Sequence, residues 1–297
     1  MWHCRAVPDL LLRDVVEALE RLYPPALAMD WDQVGLVVGD PMAPVRRVHL
    51  AVDPTLAVVD EAIAAGADLL VTHHPLLLRG IHSVATTSAK GATVTRAVRG
   101  DLAVYCAHTN ADRATPGVCD ALAAAAGLRS VAPLGDPLDA ESIGRIGSLE
   151  TPISLREFAT RLGAALPPTV GGIRVSGDPD ALVETVAVVG GSGDGEFDVV
   201  RAAGADAYVT ADLRHHPVLE DRETSRGGPP YLVDAGHWAS EWVWLASAER
   251  ELTRLLVDGT SGQADSVRLD THVSTLRTEP WTFVVGANAA ADQGGQP

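Results

Sequence analysis

Apolar residues along this chain repeat with two different spacings, which alternate from one segment to the next. Between residues 9 and 22 they recur every three or four positions, which predicts an amphipathic helix that ends before Pro24. Short apolar runs predict strands within 29–41 and at 47–53, 68–72 and 102–106, with helices at 54–65, 86–99 and 116–127. Strands that alternate with helices at this spacing predict βαβ units, an α/β fold and a largely parallel mixed sheet.

The same alternation continues in the second part of the chain, after a segment at 129–142 that has no period and is predicted to be a loop. The predicted strands lie at 143–149, 173–176, 183–189 and 231–235, the helices at 154–165 and from about 238 to 257, and two closing strands at 267–275 and 281–285. Residues 286–297 are low in sequence complexity and are predicted to form a disordered tail.

Two segments of the chain resemble each other at a constant offset. Ala-Gly-Ala-Asp followed by Val-Thr occurs at 65–72 and again at 203–210, so that Asp68 and Asp206 differ by 206 − 68 = 138 positions. A strand, a turn and a helix precede each copy, which predicts two duplicated βαβ halves in an α/β/α layered fold. Chance remains the alternative, because alanine and glycine are common here. We assign the first half to residues 1–128 and the second to 129–285.

Composition excludes several classes of protein. The apolar fraction of 46% and the charged fraction of 21% are typical of a folded globular chain, and the formal net charge is −16. Such a charge makes binding to nucleic acid or to an anionic membrane unfavourable. Cys4, Cys106 and Cys119 have no metal-binding or disulfide spacing, and the first residues show no signal-peptide pattern. We therefore expect a cytoplasmic protein with no membrane contact.

Metal-binding residue types stand at the ends of several predicted strands. His73 and His74 follow the strand 68–72, and Asp112 follows 102–106. His237 and Glu241 are four positions apart at the start of the long helix, and they project from one face if the helix begins at or before His237. The carboxyl ends of parallel strands meet at one edge of a sheet, which is where ligands bind. A set of imidazoles and carboxylates without thiolates suits Zn, Mn, Fe, Co or Ni.

These residues leave two questions open. Adjacent strand residues point to opposite faces, so either the backbone breaks after Thr72 or His73 and His74 serve different metals. A bridging carboxylate would let five ligands hold two metals with positions left for water. The glycine-rich turn at 190–195 could cradle an anion, or it is only a tight strand-to-helix turn, since it has neither the dinucleotide nor the P-loop pattern.

Seven short motifs, taken together, closely resemble those of the Nif3-like dinuclear metal-centre proteins, also called GTP cyclohydrolase 1 type 2 homologues. The motifs are DWDQVGLVVGD (30–40), VTHHP (71–75), AHTNAD (107–112), GGSG (190–193), TADLRHHP (210–217), GHWASE (236–241) and TEPWTF (278–283). They follow the family's order over nearly the whole chain. Some longer members of the family carry an extra domain between the halves, and the segment 150–189 is too short to hold it.

The resemblance implies a specific site and assembly. It implies that His73, His74, Asp112, His237 and Glu241 hold two divalent metal ions, and that the chain forms a toroidal homohexamer. It places His108 behind the ligands as an orienting group. It also makes His216 a candidate acid–base group, with Glu241 as a second catalytic residue.

Two functions from different classes follow from this resemblance. The first is a metal-dependent hydrolase in which two metals activate a water, with a nucleotide such as GTP as the substrate. The second is a metal-binding regulatory or scaffold ring without catalysis, which nothing in the sequence excludes. A ring that threads nucleic acid is a third idea, weakened by the net charge of −16.

Overall fold

A computed structural model describes residues 10–135, 143–257 and 269–286. The strands are β1 (Leu10–Leu11), β2 (Gly35–Val38), β3 (Pro44–Val45), β4 (Arg47–Ala51), β5 (Leu69–Thr72), β6 (Ala103–Cys106), β7 (Arg129–Pro133), β8 (Arg145–Ser154), β9 (Arg174–Ser176), β10 (Leu182–Ser192), β11 (Ala207–Ala211), β12 (Tyr231–Asp234) and β13 (Asp270–Val273). The α-helices are α1 (Leu12–Leu22), α2 (Leu56–Ala64), α3 (Ala89–Arg99), α4 (Thr109–Arg113), α5 (Val118–Ala125), α6 (Leu155–Ala165), α7 (Phe197–Ala202), α8 (His215–Thr224) and α9 (His237–Val257), with a 3₁₀ helix at Pro25–Leu27.

Four strands of the first half and β13, from near the end of the described residues, form a five-stranded sheet in the order β13-β4-β5-β6-β2. Its strands run parallel except β2, which pairs antiparallel with β6. All four residues of β5 and of β6 are buried, as expected for parallel strands covered on both faces. Helices α2 and α3 cover the outer face, and hydroxyl groups of Thr55 and Ser88 cap their N-termini by accepting backbone N–H bonds.

The second half builds a six-stranded sheet in the order β7-β8-β10-β11-β12-β9. Its centre, β10-β11-β12, is parallel, and the flanking strands β7, β8 and β9 pair antiparallel. The prediction of a loop over 129–142 was wrong for Arg129–Pro133, which form β7. All five residues of β7 are exposed at the sheet edge, so no apolar pattern marks this strand in the sequence.

Helices α1, α5 and α9 pack between the two sheets and create the main core. Helix α9 contacts β10 and β11 of one sheet and β4 and β13 of the other. The buried Trp244 of α9 donates its indole N–H to the Tyr23 hydroxyl across this core, at 3.1 Å. The predicted α/β fold with mixed parallel and antiparallel pairing is therefore confirmed. It is realised as two large sheets that share one layer of helices, while β1 and β3 form a separate two-stranded antiparallel sheet.

The two halves repeat each other in register as well as in sequence. Val48 pairs with Leu69 in the first sheet and Val186 with Ala207 in the second, and both residue numbers differ by 138 between the copies (186 − 48 and 207 − 69). The Asp68 carboxylate accepts the N–H groups of residues 46 and 47, and the Asp206 carboxylate accepts those of residues 184 and 185. Because the backbone hydrogen bonds repeat at the same offset, chance no longer explains the similarity.

The end of the described chain returns to the first sheet. Strand β13, predicted within 267–275 as part of the second half, pairs parallel with β4 of the first. Residues 281–285 contain no strand, although their apolar pattern predicted one. Apart from Gly286, the predicted disordered tail lies outside the described residues, and the division of the chain at residue 129 stays a prediction. Among the described residues, no helix is long and apolar enough to cross a membrane.

Candidate metal centre

The five side chains selected at strand ends and at the start of the long helix come together at one place. His73 and His74 directly follow β5, Asp112 lies in α4 after β6, and His237 and Glu241 lie in the first turns of α9 after β12. His73, Asp112 and Glu241 are almost fully buried, while His74 and His237 are partly exposed. The meeting point lies at the carboxyl ends of parallel strands from both sheets, where the sequence pattern predicted a site.

Glu241 is the common member of two groups of ligands. Its Oε1 lies 3.4 Å from His73 Nε2 and 3.0 Å from His237 Nε2, and its Oε2 lies 3.2 Å from His74 Nε2. His73 Nε2 also faces Asp112 Oδ1 at 3.6 Å, and His74 Nε2 faces His237 Nε2 at 3.1 Å. Two ligands of one tetrahedral metal, each about 2.0–2.1 Å from it, lie about 3.3–3.4 Å apart, so these separations fit shared cations.

The two adjacent histidines have different nearest partners besides Glu241, although one ring nitrogen of each lies within 4.8 Å of the other. His73 joins Asp112 on the buried side, whereas His74 joins His237 on the side towards solvent. Their ring centroids stay 5.1 Å apart. The Nε2 atoms of both histidines lie within 3.4 Å of Glu241, so a single carboxylate connects them.

In each of His73, His74 and His237, an oxygen lies within hydrogen-bond distance of Nδ1, the ring nitrogen that does not face Glu241. Nδ1 of His73 faces the Ala107 carbonyl oxygen at 2.9 Å, Nδ1 of His74 faces the Asp53 carboxylate at 2.7 Å, and Nδ1 of His237 faces that of Asp212 at 2.9 Å. An Nδ1–H donated to such an oxygen leaves Nε2 free as an electron-pair donor, which is how proteins orient metal-binding imidazoles.

Sequence reasoning missed Asp53 and Asp212. Asp53 lies just beyond the end of β4 and Asp212 just beyond the end of β11. His73 and His74, which were selected from the sequence, lie at the equivalent place after β5. A rule that accepted every carboxylate at a strand end would have found them.

His108 lies closer to the centre than the orienting position that the motif implied. Its Nδ1 is 2.9 Å from the Asp32 carboxylate, which also accepts the Thr109 N–H at 3.0 Å. The ring of His108 lies 5.2 Å from that of His73, and one ring nitrogen of each of His73, His74 and His108 falls within 4.8 Å of the others. His108 therefore faces the same space as the ligands, with its position fixed by Asp32.

Electrostatics favour a cation at this centre. Burial alone would lower the pKa of His74, but the carboxylates of Glu241 and Asp53 raise it to about 10. Burial likewise opposes the charge on His237, and Glu241 and Asp212 raise its pKa to about 11. Burial would raise the pKa of Glu241, yet the three neighbouring histidines hold it well below its usual range. The carboxylates thus attract positive charge that protons or a metal can supply.

Two buried carboxylate oxygens at this centre lack, within the described part of the chain, the partner that a positive charge would provide. Among the described residues, Asp112 Oδ1 and Glu241 Oε2 are buried without a hydrogen-bond partner of good geometry. A buried carboxylate oxygen with no partner is costly, and a coordinated divalent cation removes that cost. The donor set of imidazoles and carboxylates fits such an ion, so these residues could hold a metal.

Gly191 makes room for the ligands. Gly190 and Gly191 belong to the end of β10, and Gly191 has φ of +65°. A Cβ at position 191 would overlap Glu241 Oε1 and lie 3.1 Å from His237 Nε2. The Gly191 N–H donates to the Ser240 hydroxyl at 2.9 Å rather than pointing at an anion. The first part of the glycine-rich turn therefore serves the approach of α9 to the strand end.

His216, the candidate acid–base residue, is not brought to this centre. It is exposed in the first turn of α8, and its ring contacts that of His215, with the centroids 5.1 Å apart. It makes no hydrogen bond or ion pair with any of the five clustered residues. Its catalytic role stays a prediction.

A cavity of about 500 Å³ opens beside His74 and His237. Its walls come from the β9 region and from the segment after β13, which include Arg174, Thr278 and Trp281. Trp281 is 67% exposed, so its ring face is available to a ligand. The cavity offers hydroxyl groups and an aromatic surface next to the candidate metal ligands, and its Arg174 forms an ion pair with Asp234.

Comparison with known proteins places this arrangement in a family. A family model described as Duf34/NIF3 (NGG1p interacting factor 3) matches residues 10–272. A Streptomyces coelicolor protein named "GTP cyclohydrolase 1 type 2 homolog" is 49% identical over 290 residues, which covers 96% of this chain and 99% of the relative.

A second relative and a solved structure agree with that match. A Mycobacterium tuberculosis protein of the same name is 36% identical over 380 aligned positions, covering 92% of this chain and 97% of the relative. Because this chain has only 297 residues, that relative carries residues inside the match that this chain lacks. The crystal structure of a Bacillus cereus protein related to NIF3 has a TM-score of 0.81 at 26% identity, covering 94% of this chain and all of that chain.

Proposed function

We propose that this protein, which belongs to the Duf34/NIF3 family, is a cytosolic metal-dependent hydrolase whose centre holds two divalent cations. The observation that carries the proposal is the position of Glu241, whose carboxylate lies 3.0 to 3.4 Å from the Nε2 atoms of His73, His74 and His237. His73 and Asp112 would hold one cation and His74 and His237 the other, with Glu241 common to both.

When bound, such a pair of cations supplies a nucleophilic water at neutral pH and polarises the bond that is attacked. The remaining work falls to side chains of this protein. Asp53 and Asp212 keep His74 and His237 oriented. The ligand types suit Zn, Mn, Fe, Co or Ni, and nothing in the ligand set selects among them.

His108 is better placed than His216 to transfer a proton during the reaction. Its Nδ1 is held by Asp32, and one of its ring nitrogens lies within 4.8 Å of ring nitrogens of His73 and His74. A general acid or base must lie within reach of the reacting atoms, and the exposed His216 makes no contact with this centre within the chain.

The substrate that we propose is a small nucleotide-like molecule. The name of the Streptomyces relative, "GTP cyclohydrolase 1 type 2 homolog", supports this class. So does the cavity, since Trp281 offers a surface on which a planar base can stack, while Arg174 is ion-paired with Asp234. The net charge of −16 opposes an anionic substrate, but cations at the centre would reverse the local sign.

We further propose that the chain assembles as a homohexameric ring. Four apolar residues near the cavity are exposed: Trp281, Phe283, Val284 and Val285. Exposed apolar side chains that cluster in one short segment are typical of an interface. Light scattering on the purified protein tests the assembly directly, and a monomeric mass would contradict it.

A metal-loaded substrate screen tests the function. The protein, loaded separately with each candidate metal, is offered nucleotides, phosphoesters and amides. Glu241→Gln should abolish turnover while the assembly stays intact, and Glu249→Gln on the same helix is the matched control. Turnover that survives in Glu241→Gln would contradict the hydrolase. If no substrate reacts and metal removal changes only assembly or partner binding, the protein is a scaffold.

A further inference from the structure

A second group of metal-binding side chains lies on the first sheet, apart from the centre described above. It consists of His49 in β4, Glu61 in α2 and His272 in β13. One ligand atom of each falls within 4.8 Å of the other two. The three residues come from separate elements, and the proposed function uses none of them.

The backbone fixes the two histidines side by side. His49 and His272 are direct partners in the parallel pairing of β4 and β13, and their ring centroids lie 4.9 Å apart. Neighbouring parallel strands place such partners on the same face of the sheet. This face is covered by α2, which supplies Glu61.

Glu61 already occupies the position of a shared ligand. Its Oε2 lies 3.1 Å from His49 Nε2, close to the separation of about 3.3 Å expected between two ligands of one tetrahedral ion. The same oxygen accepts a hydrogen bond from the Ser274 hydroxyl at 2.6 Å. Ser274 therefore holds the carboxylate in place from the chain just beyond β13.

His49 is an unusual residue to find inside this sheet. It is fully buried, and its Nδ1 has no hydrogen-bond partner among the described residues. Burial lowers the pKa of His49, although Glu61 opposes the shift.

We propose that His49, Glu61 and His272 form a second divalent-cation site of the zinc type, which fastens β13 to the first sheet. His272 is exposed, so its ring can turn towards the shared ion while water or Ser274 completes the coordination. Two imidazoles and one carboxylate suit zinc, cobalt or nickel.

Such a site acts on the segment that borders the main cavity. β13 is an edge strand that leads directly into residues 274–281. Thr278 in this segment donates a hydrogen bond to Asp53, the carboxylate that orients His74. A cation at the second site would therefore reduce the freedom of a cavity wall without touching the first centre.

Zinc binding to the full-length protein after removal of metal by a chelator tests the proposal. Dialysis against buffered zinc is followed by elemental analysis of wild type, His272→Gln, Glu61→Gln and His82→Gln. His82 is also exposed and belongs to no candidate metal group among the described residues, so it is the matched control. We expect His272→Gln and Glu61→Gln to bind about one zinc per chain less than wild type and His82→Gln.

Hydrogen exchange gives a second readout. Zinc should slow amide exchange in β13 by about tenfold or more in wild type and in His82→Gln, with no such effect in His272→Gln. Equal zinc content in wild type and His272→Gln would overturn the proposal. A loss in Glu61→Gln alone would also overturn it, because His272 would then not be a ligand. The fold of each variant is checked by circular dichroism.

Discussion

The two βαβ copies share a backbone and differ at the ends of their strands. In both, an aspartate accepts two N–H groups of the preceding strand, Asp68 in the first and Asp206 in the second. After the last residue of the shared motif, the first copy continues with His73 and His74. The second continues with Ala211 and Asp212 at the same offset.

A second pair of equivalent positions differs in a complementary way. Asp53 stands just beyond the first strand of one copy and orients His74. Its counterpart, 138 positions later (191 − 53), is Gly191, whose missing side chain leaves room for Glu241. The first copy thus contributes ligands, while the second contributes space, an orienting carboxylate and the helix that carries His237 and Glu241. The two copies therefore keep the same backbone hydrogen bonds, and they differ in the side chains at the ends of their strands.

Of the changes considered, a side chain at position 191 should reduce metal binding most, because it occupies the space that Gly191 leaves for Glu241. In Gly191→Ala the new Cβ would overlap Glu241 Oε1, so the carboxylate must move. We expect metal affinity to fall by about 100-fold, measured by competition with a chromophoric chelator. Gly204→Ala is the matched control, since Gly204 also has a positive φ, of +71°, and a Cβ added there would meet nothing within 4 Å. Equal metal affinity in the two variants would contradict the proposed role of Gly191.

Removing the orienting carboxylates should have a smaller effect that differs between the copies. Asp53→Asn and Asp212→Asn each leave an imidazole with a weaker acceptor, and we expect losses of metal affinity of about tenfold. The loss should be larger for Asp53, because its side chain is 27% exposed and that of Asp212 is 59% exposed. Isothermal titration calorimetry measures both. A larger loss in Asp212→Asn would reverse the ranking and contradict this account.

The pH dependence of stability should separate the metal-free from the metal-loaded protein. The pKa values of His74 and His237 are raised to about 10 and about 11 in the folded chain, above the unfolded value near 6.5. Their contribution is therefore fully present below about pH 6.5 and is lost as the pH rises through the folded pKa values.

Urea unfolding of the metal-free protein should thus show a falling free energy of unfolding between pH 7 and pH 10. In the metal-loaded protein the cation replaces these protons, so the curve should be much flatter over the same range. A metal-free protein whose stability stays constant or rises from pH 7 to pH 10 would contradict the assignment of the raised pKa values.

Changes to the backbone hydrogen bonds that both copies share should have the smallest effect, and they should lower the stability equally in the two copies. Asp68→Ala and Asp206→Ala each remove an acceptor of two backbone N–H groups, and we expect each to lower the free energy of unfolding by about 1–3 kcal/mol. Chemical denaturation measures the pair. If the two losses in the free energy of unfolding differ by more than about 1 kcal/mol, Asp68 and Asp206 do not stabilise their copies equally.

The sequence predicted the interior elements well because their apolar residues follow a period. β5 and β6 are uninterrupted apolar runs and lie in the core as expected. β7 was missed since all of its residues are exposed, and the apolar run at 281–285 predicts a strand but forms none. The partner of β13 could not be predicted, because pairing between distant segments leaves no local pattern.

For the site, residue chemistry at strand ends was enough to select the five side chains that the structure brings together. It did not select Asp53 or Asp212, which become informative only once the histidine that each one faces is known. The role of Gly191 could not be predicted either, because the residue it accommodates, Glu241, is fifty positions further along the chain.

The return of β13 to the first sheet has a consequence for synthesis on the ribosome. β4 lies between β5 and β13, so its outer edge stays without a partner until residues 270–273 have been made. An unpaired edge invites association with other chains. During translation the first sheet therefore remains incomplete until residue 273 has emerged from the ribosome. A nascent chain stalled before residue 270 should depend on chaperones to remain free of aggregates.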